Sequence, residues 1–244
     1  MPARASRLTA SIKPLFKIHA RWTMQCCPAL FFVLWFKKMR KVQDRKEIVR
    51  QVSAAAELYK RNLVGRQFLY IFDGRFIEVM YKAENFLHLT GVGTGLSAKQ
   101  FYKYAVNRIL SASQIEFNAA HPYDLCVRKL QHLCSMTGLA TSECFMLEEI
   151  KTNTQLYKFG TTNLDFTLCF GVDSKQDGSY IAQSLRDENC FAKSRDVYIV
   201  THILSKQNDK KRYENMLYMD KASSLAELPA DVLPMMEPSL LEEI

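Results

Sequence analysis

The stretch "NFLHLTGVGTG" at residues 85–95 sets an imidazole, His88, between two leucines and follows it with Thr90 and three glycines in five residues. Histidine titrates near neutral pH, so an imidazole at the lip of a turn can pass a proton in either direction. Thr90, two residues on, is placed to share a hydrogen-bond network with it. Glycine at this density speaks against a helix and for a strand running into a flexible turn, which would aim His88 at a cleft. Taken alone, a histidine between leucines is also a common structural residue, and both readings stand.

Other chemistry is poorly represented. "GVGTG" (91–95) lacks the G-x-G-x-x-G spacing of a dinucleotide site and no β-α-β pattern follows it; G-x-x-x-x-G-K-[ST], H-E-x-x-H and G-x-S-x-G do not occur. The seven cysteines include no C-x-x-C pair, and "HLC" at 132–134 has no partner pair at zinc-site spacing. The expectation is no metal, no disulfide framework, no cofactor, and a reducing, cytoplasmic setting in which cysteines pack as small apolar residues.

The net charge of +8 looks like a polyanion signal until it is located. Residues 1–41 carry nine basic residues and no acid, residues 42–219 carry 23 basic and 19 acidic residues for a net of +4, and residues 220–244 set Lys221 against six acids. The body is thus only mildly basic, and the whole chain's pI of about 9.1 is weak evidence for a nucleic-acid partner. In the basic segment, "CCPALFFVLWF" (26–36) is too short and too broken by Pro28 for a spanning helix, which needs ~20 apolar residues. Residues 1–41 therefore read as an extension outside the fold with no stable membrane insertion, 42–221 as the domain, and 222–244 as a loosely held acidic tail containing prolines.

Within the domain, Ile48, Val52, Ala55, Ala56 and Tyr59 recur on one face of a helix over 42–61. "QFLYIFDGRFIEVMY" (67–81) reads as a hairpin about Asp73-Gly74. Ser97 and Gln100 form a capping box for a helix carrying Phe101, Tyr104, Ala105 and Ile109 inward. Pro122 opens a helix over 122–136, and a third helical piece is predicted near 142–151. Beyond Gly160, the runs 164–172, 179–185, 196–204 and 213–219 are β-branched or aromatic and read as strands. The fold class expected is α+β, with N-terminal helices packed on a mainly antiparallel sheet.

"FIEVMYKAENFLHLTGV" (76–92) and the later run "SYIAQSL" (179–185), "VYIVTHILSK" (197–206) and "RYENMLYMDK" (212–221) together resemble one family. It is the fourth subclass of the phage-type nuclease domains grouped with barnase, EndoU, colicin and RelE-like toxins, the BECR fold, found in polyvalent proteins of phages and conjugative elements, chiefly in bacteria. The resemblance covers roughly 42–221, and the F-x-H-L-T-G core is its most specific mark. It implies a metal-independent ribonuclease of the toxin or effector type. Where the family pattern leads one to expect a proline before Ser184-Leu185, this chain has Ala182-Gln183.

Such a reaction turns the ribose 2′-hydroxyl on the adjacent phosphate and needs a base, an acid for the leaving 5′-oxygen, and cations or donors for the phosphorane oxygens. On the resemblance, His88 is assigned as base or acid and Ser184 as a donor to a non-bridging oxygen. Lys206 is assigned as the cation and Tyr213 as a donor or stacking ring, with Thr90 and Arg186 as secondary substrate contacts; His202 is expected on the sheet. Convergence of His88, Ser184 and Lys206 is a requirement of this assignment. The partner implied is RNA, with an antitoxin or immunity protein if the chain acts as a toxin. The alternative is an inactive module of the same fold that binds RNA or a protein.

Overall fold

A computed structural model describes the backbone of residues 28–153, 155–176 and 178–241, and side chains from residue 43 onward. The chain divides between Lys41 and Val42 into two units, and the architecture below is that of the second. Most of the extension assigned to residues 1–41 lies outside the described residues. Among the described residues no helix is long and apolar enough to cross a membrane.

Helix α1 (Pro28–Asn62) buries the face its periodicity marks: Val52, Ala56 and Tyr59 are wholly buried and Ile48 and Ala55 nearly so. Strands β1 (Arg66–Phe72) and β2 (Arg75–Met80) pair antiparallel across Asp73 and Gly74, whose φ angles of 50° and 66° are both left-handed, as the tight hairpin turn requires. Three helices follow, α2 (Phe86–Thr90), α3 (Ala98–Val106) and α4 (Tyr123–Leu133). The Ser97–Gln100 capping box closes in both directions at the start of α3. Phe101 and Ala105 turn inward there, whereas Ile109 lies past the helix and is 59% exposed.

The remaining strands are β3 (Phe145–Lys151), β4 (Leu156–Thr162), β5 (Thr167–Val172), β6 (Ser179–Arg186), β7 (Asp196–Gln207) and β8 (Asn215–Met219). They run β1-β2-β6-β5-β4-β3-β7, and β7 pairs back onto β1, so seven strands close into a barrel with β8 added along β7. The joint between β2 and β6 is parallel, with Val79 opposite Tyr180. The structure therefore corrects the expected antiparallel sheet to a closed, mixed barrel, while the α+β mixture holds. Closure leaves β1 without a free edge or a solvent face, and six of its seven residues are buried. Phe68, Tyr70 and Phe72 point inward, where Tyr70 Oη lies 2.9 Å from Tyr81 Oη and donates to the Leu139 carbonyl at 3.2 Å. Helices α1 to α4 share this core: Tyr59 packs on Tyr81 and Phe86 with ring centroids 6.1 and 5.1 Å apart.

Two further expectations change. Residues 145–151 form β3 rather than a helix, because tertiary pairing absorbs the charges: Glu148, buried, takes Arg75 Nη2 at 2.7 Å. Glu149 adopts a left-handed φ of 52° between the paired residues Glu148 and Ile150, and the register with β4 continues unshifted on either side. The acidic segment after residue 221 is packed rather than loose. Leu228, Val232 and Met236 cover Leu69, Ile71 and Leu204 on the outer wall, and the Tyr213 amide donates to the Met235 carbonyl at 2.7 Å. His202 lies on β7, as expected, and is fully buried. Cys126, Cys144 and Cys169 are buried free thiols that burial pushes up to about 12, which makes them packing residues rather than nucleophiles.

Candidate functional site

The "HLTG" stretch is a single helical turn rather than a strand end. Phe86 and Leu89 in α2 enter the core, which turns the intervening His88 to solvent. Gly91 ends the turn at φ 72°, a left-handed conformation that glycine adopts without strain. Thr90 is fully buried, and its hydroxyl donates to the Leu87 carbonyl at 2.7 Å and accepts the Val92 amide at 3.1 Å. Thr90 therefore staples the turn that presents His88 and does not itself face a cleft.

The glycines also make room. A Cβ on Gly91 would stand 2.9 Å from Lys129 Cδ, and one on Gly93 would stand 3.1 Å from the His121 side chain and 2.8 Å from the Glu116 carbonyl oxygen. Their absence lets α4 and the loop before it close against α2. Lys129 from α4 donates to the His88 carbonyl at 3.2 Å.

The facing wall is β6. Its register with β5 slips by one residue: Ala182 pairs with Phe170 and Ser184 with Cys169, leaving Gln183 as the bulged residue. Ala182 and Leu185 still enter the core, and the extra residue lets consecutive side chains, Gln183 and Ser184, line one cleft. A bulge outside the ladder also tolerates proline, which has no N–H to pair, so position 183 accepts either a proline or this chain's Gln183.

The resulting cleft has a volume of about 440 Å³ and is lined by His88, Thr94, His121, Lys129, Tyr157, Gln183, Ser184 and Arg186, with Leu87, Gly91, Val92, Ala120 and Leu125 between them. Two cations and two imidazoles line it, and none of the described lining residues is Asp or Glu. The neighbouring carboxylate, Asp187, is engaged elsewhere by His132 Nε2 at 2.7 Å and Arg128 at 3.5 Å. The Arg186 guanidinium lies 6.0 Å from the Tyr157 ring centroid. Burial, and secondly the positive charge of Arg186, lower the Lys129 ammonium to about 8. Positive charge concentrated in a cleft whose described lining holds no Asp or Glu is the electrostatics of an anion site.

The structure thus brings together His88, Ser184 and Arg186 from segments about a hundred residues apart in sequence, and it does not bring Lys206 or Tyr213 to them. Those two sit on the opposite wall, where β1 pairs with β7 and Lys206 lies opposite Gln67. The Lys206 ammonium stacks 4.5 Å from the Tyr213 ring centroid and donates to the Lys211 carbonyl at 3.3 Å. Tyr213 is fully buried and donates to Glu78 Oε1 at 2.7 Å; burial raises its pKa steeply. The expected convergence of Lys206 with His88 and Ser184 therefore fails, because closure of the barrel through β1 and β7 carries Lys206 away from β6. The cations that line the cleft are Lys129 and Arg186. Lys129 and His121 went unread in the sequence, although Leu125 and Lys129 stand one helical turn apart on the face of α4 that meets the cleft.

The cleft between α2, α4 and β6 of this barrel is thus polar and cationic. The family described as phage-Barnase-EndoU-ColicinE5/D-RelE like nuclease4 matches residues 51–222, and the chain belongs to this family of nucleases. No curated protein and no solved structure matches the chain.

Proposed function

We propose that the chain is a metal-independent endoribonuclease that cuts RNA by attack of the 2′-hydroxyl on the neighbouring phosphate. The observation that carries the reading is the cleft itself: in a nuclease family member, two imidazoles, two cations and the Ser184 hydroxyl converge on one space, and none of its described lining residues is a carboxylate. Carboxylate oxygens are the usual ligands of the divalent ions that phosphodiesterases employ, and this cleft offers proton carriers and fixed charge instead.

In this reading His88 and His121 divide the proton transfers, one taking the 2′-hydroxyl proton and the other protonating the departing 5′-oxygen. Arg186 and Lys129 neutralise the charge that builds on the non-bridging oxygens, and the Ser184 hydroxyl donates to one of them. The bond from the 2′-oxygen to phosphorus forms as the bond to the 5′-oxygen breaks, giving a 2′,3′-cyclic phosphate and a free 5′-hydroxyl. The likeness in the family description to colicins and RelE favours an effector acting on cytoplasmic RNA, held in check by an antitoxin or immunity protein. Growth arrest of a bacterial host by the wild type and not by His88→Ala tests that role.

The direct test is incubation of purified protein with total RNA in EDTA, wild type beside His88→Ala. Cleavage by the wild type alone supports the proposal. Bound but intact RNA after long incubation would shift the reading to an inactive binding module.

A further inference from the structure

Next to the cleft lies a second groove of about 460 Å³, which shares Tyr157 and Gln183 with it and continues across the outer face of β4 and β5. Leu156 and Val172 flank this groove at 60% and 65% exposed, so two large apolar side chains stand in water where no described residue covers them. Lys158, exposed on β4, adds a cation. Glu149, the acid among the lining residues, is neutralised by Arg195 at 2.5 Å.

The junction between the two spaces is Gln183. Gly171 lies beneath it: a Cβ built there would come within 2.0 Å of Gln183 Oε1, so the carboxamide occupies the space above the glycine. Among the described residues that carboxamide has no hydrogen-bond partner. It carries two donors and an acceptor, the set that pairs with the edge of a nucleobase. Bulged out of the ladder, it is free of the alternation that would turn it inward.

We infer that this groove is the base-binding subsite for a nucleotide flanking the scissile phosphate, in a single-stranded RNA laid from the His88 cleft across β4 and β5, with Gln183 reading the base edge. The inference rests on the nuclease reading of the first cleft and adds the strand's path and its specificity determinant. Scission by 2′-hydroxyl attack needs a nucleotide on each side of one phosphate, so the strand must leave the cleft along a surface. This groove offers apolar side chains for base faces and a lysine for backbone charge, the combination that single-stranded nucleic acids use. A duplex would hide the base edges from the carboxamide, so an unpaired strand is the occupant.

The test measures binding apart from cleavage, using fluorescein-labelled 2′-O-methyl pentanucleotides of A, C, G and U, which have no free 2′-hydroxyl and cannot be cut. Wild type should bind one or two of the four more tightly than the rest. Gln183→Ala should weaken the preferred one about tenfold and level the four, in the range of one good base contact. Gly171→Ala, which displaces the carboxamide without touching the core, should do the same, and Leu156→Asp with Val172→Asp should weaken all four about tenfold or more. Equal affinities in wild type and all these variants, or no binding by the wild type at all, would overturn the inference. RNA cleavage by the wild type in a parallel assay keeps that failure separate from failure of the nuclease proposal. Loss of pentanucleotide binding in the variants with no cleavage by the wild type would sink the nuclease reading, and with it the flanking of a scissile phosphate, while base reading by Gln183 would hold.

Discussion

Replacing Lys129 by methionine should make the protein more stable and less active, and the size of the first effect follows from the cleft. Burial and Arg186 bring the Lys129 ammonium from 10.5 to about 8, which corresponds to about 3 kcal/mol of charge penalty at neutral pH. Methionine keeps the stem that packs above Gly91 but loses the bond from the charged ammonium to the His88 carbonyl at 3.2 Å, worth about 1.5 kcal/mol net. The remainder is a gain of about 1–2 kcal/mol, read as a rise of a few degrees in melting temperature for a domain of this size. The pH dependence has a definite sign. Below pH 8 the lysine is protonated both folded and unfolded, so the wild type bears the whole penalty; between 8 and its unfolded value near 10.4 the penalty fades. The advantage of Lys129→Met should therefore shrink between pH 8 and 10.5 in thermal melts. RNA cleavage at pH 7 should fall ~100-fold or more, the usual share of one oxyanion donor. Lys129→Arg should restore much of that loss and extend activity above pH 8. A methionine variant that melts lower than wild type at pH 7 and cleaves normally would refute the reasoning on both counts.

Other expectations follow from the same geometry. Gly91→Ala should cost about 1–2 kcal/mol, since a left-handed residue acquires a side chain that meets Lys129 Cδ at 2.9 Å; chemical denaturation measures it, and a stability equal to wild type would mean that the turn tolerates another conformation. Tyr213→Phe should destabilise by about 1–3 kcal/mol, because Glu78 loses its buried partner, while cleavage per folded molecule stays unchanged. Lys206→Ala should leave cleavage within about twofold of wild type, as expected for an exposed contact remote from the chemistry; a hundredfold loss would restore the convergence that the barrel denies.

The features legible in the sequence were those set by local chemistry. The buried face of α1, the Asp73-Gly74 turn, the Ser97 capping box and the strands after Gly160 each depend on residues a few positions apart. The misread elements were decided by distant partners. Phe145–Lys151 carries two glutamates and reads as a helix until Arg75 and Arg195 are seen to neutralise them across the barrel. The glycines after His88 read as flexibility at the end of a strand, whereas they serve a helix terminus and the close approach of Lys129 and His121. Of the residues that line the cleft, the resemblance marks His88, Ser184 and Arg186. It leaves out Lys129 and His121, because nothing local marks which face of α4 meets a cleft. Lys206 was misplaced for a reason of topology: the pairing of β7 with β1 is written in no short motif.

The claim at the centre of this account is that the cleft between α2, α4 and β6 cuts RNA with its own proton carriers and fixed charge. End-group analysis of a defined single-stranded RNA after incubation in EDTA tests it most directly. The account predicts 2′,3′-cyclic phosphate and 5′-hydroxyl ends from the wild type, no cut at a position carrying 2′-deoxyribose, and ~100-fold or greater loss in His88→Ala with its melting temperature preserved. Intact RNA, 5′-phosphate ends, or full activity in His88→Ala would contradict it.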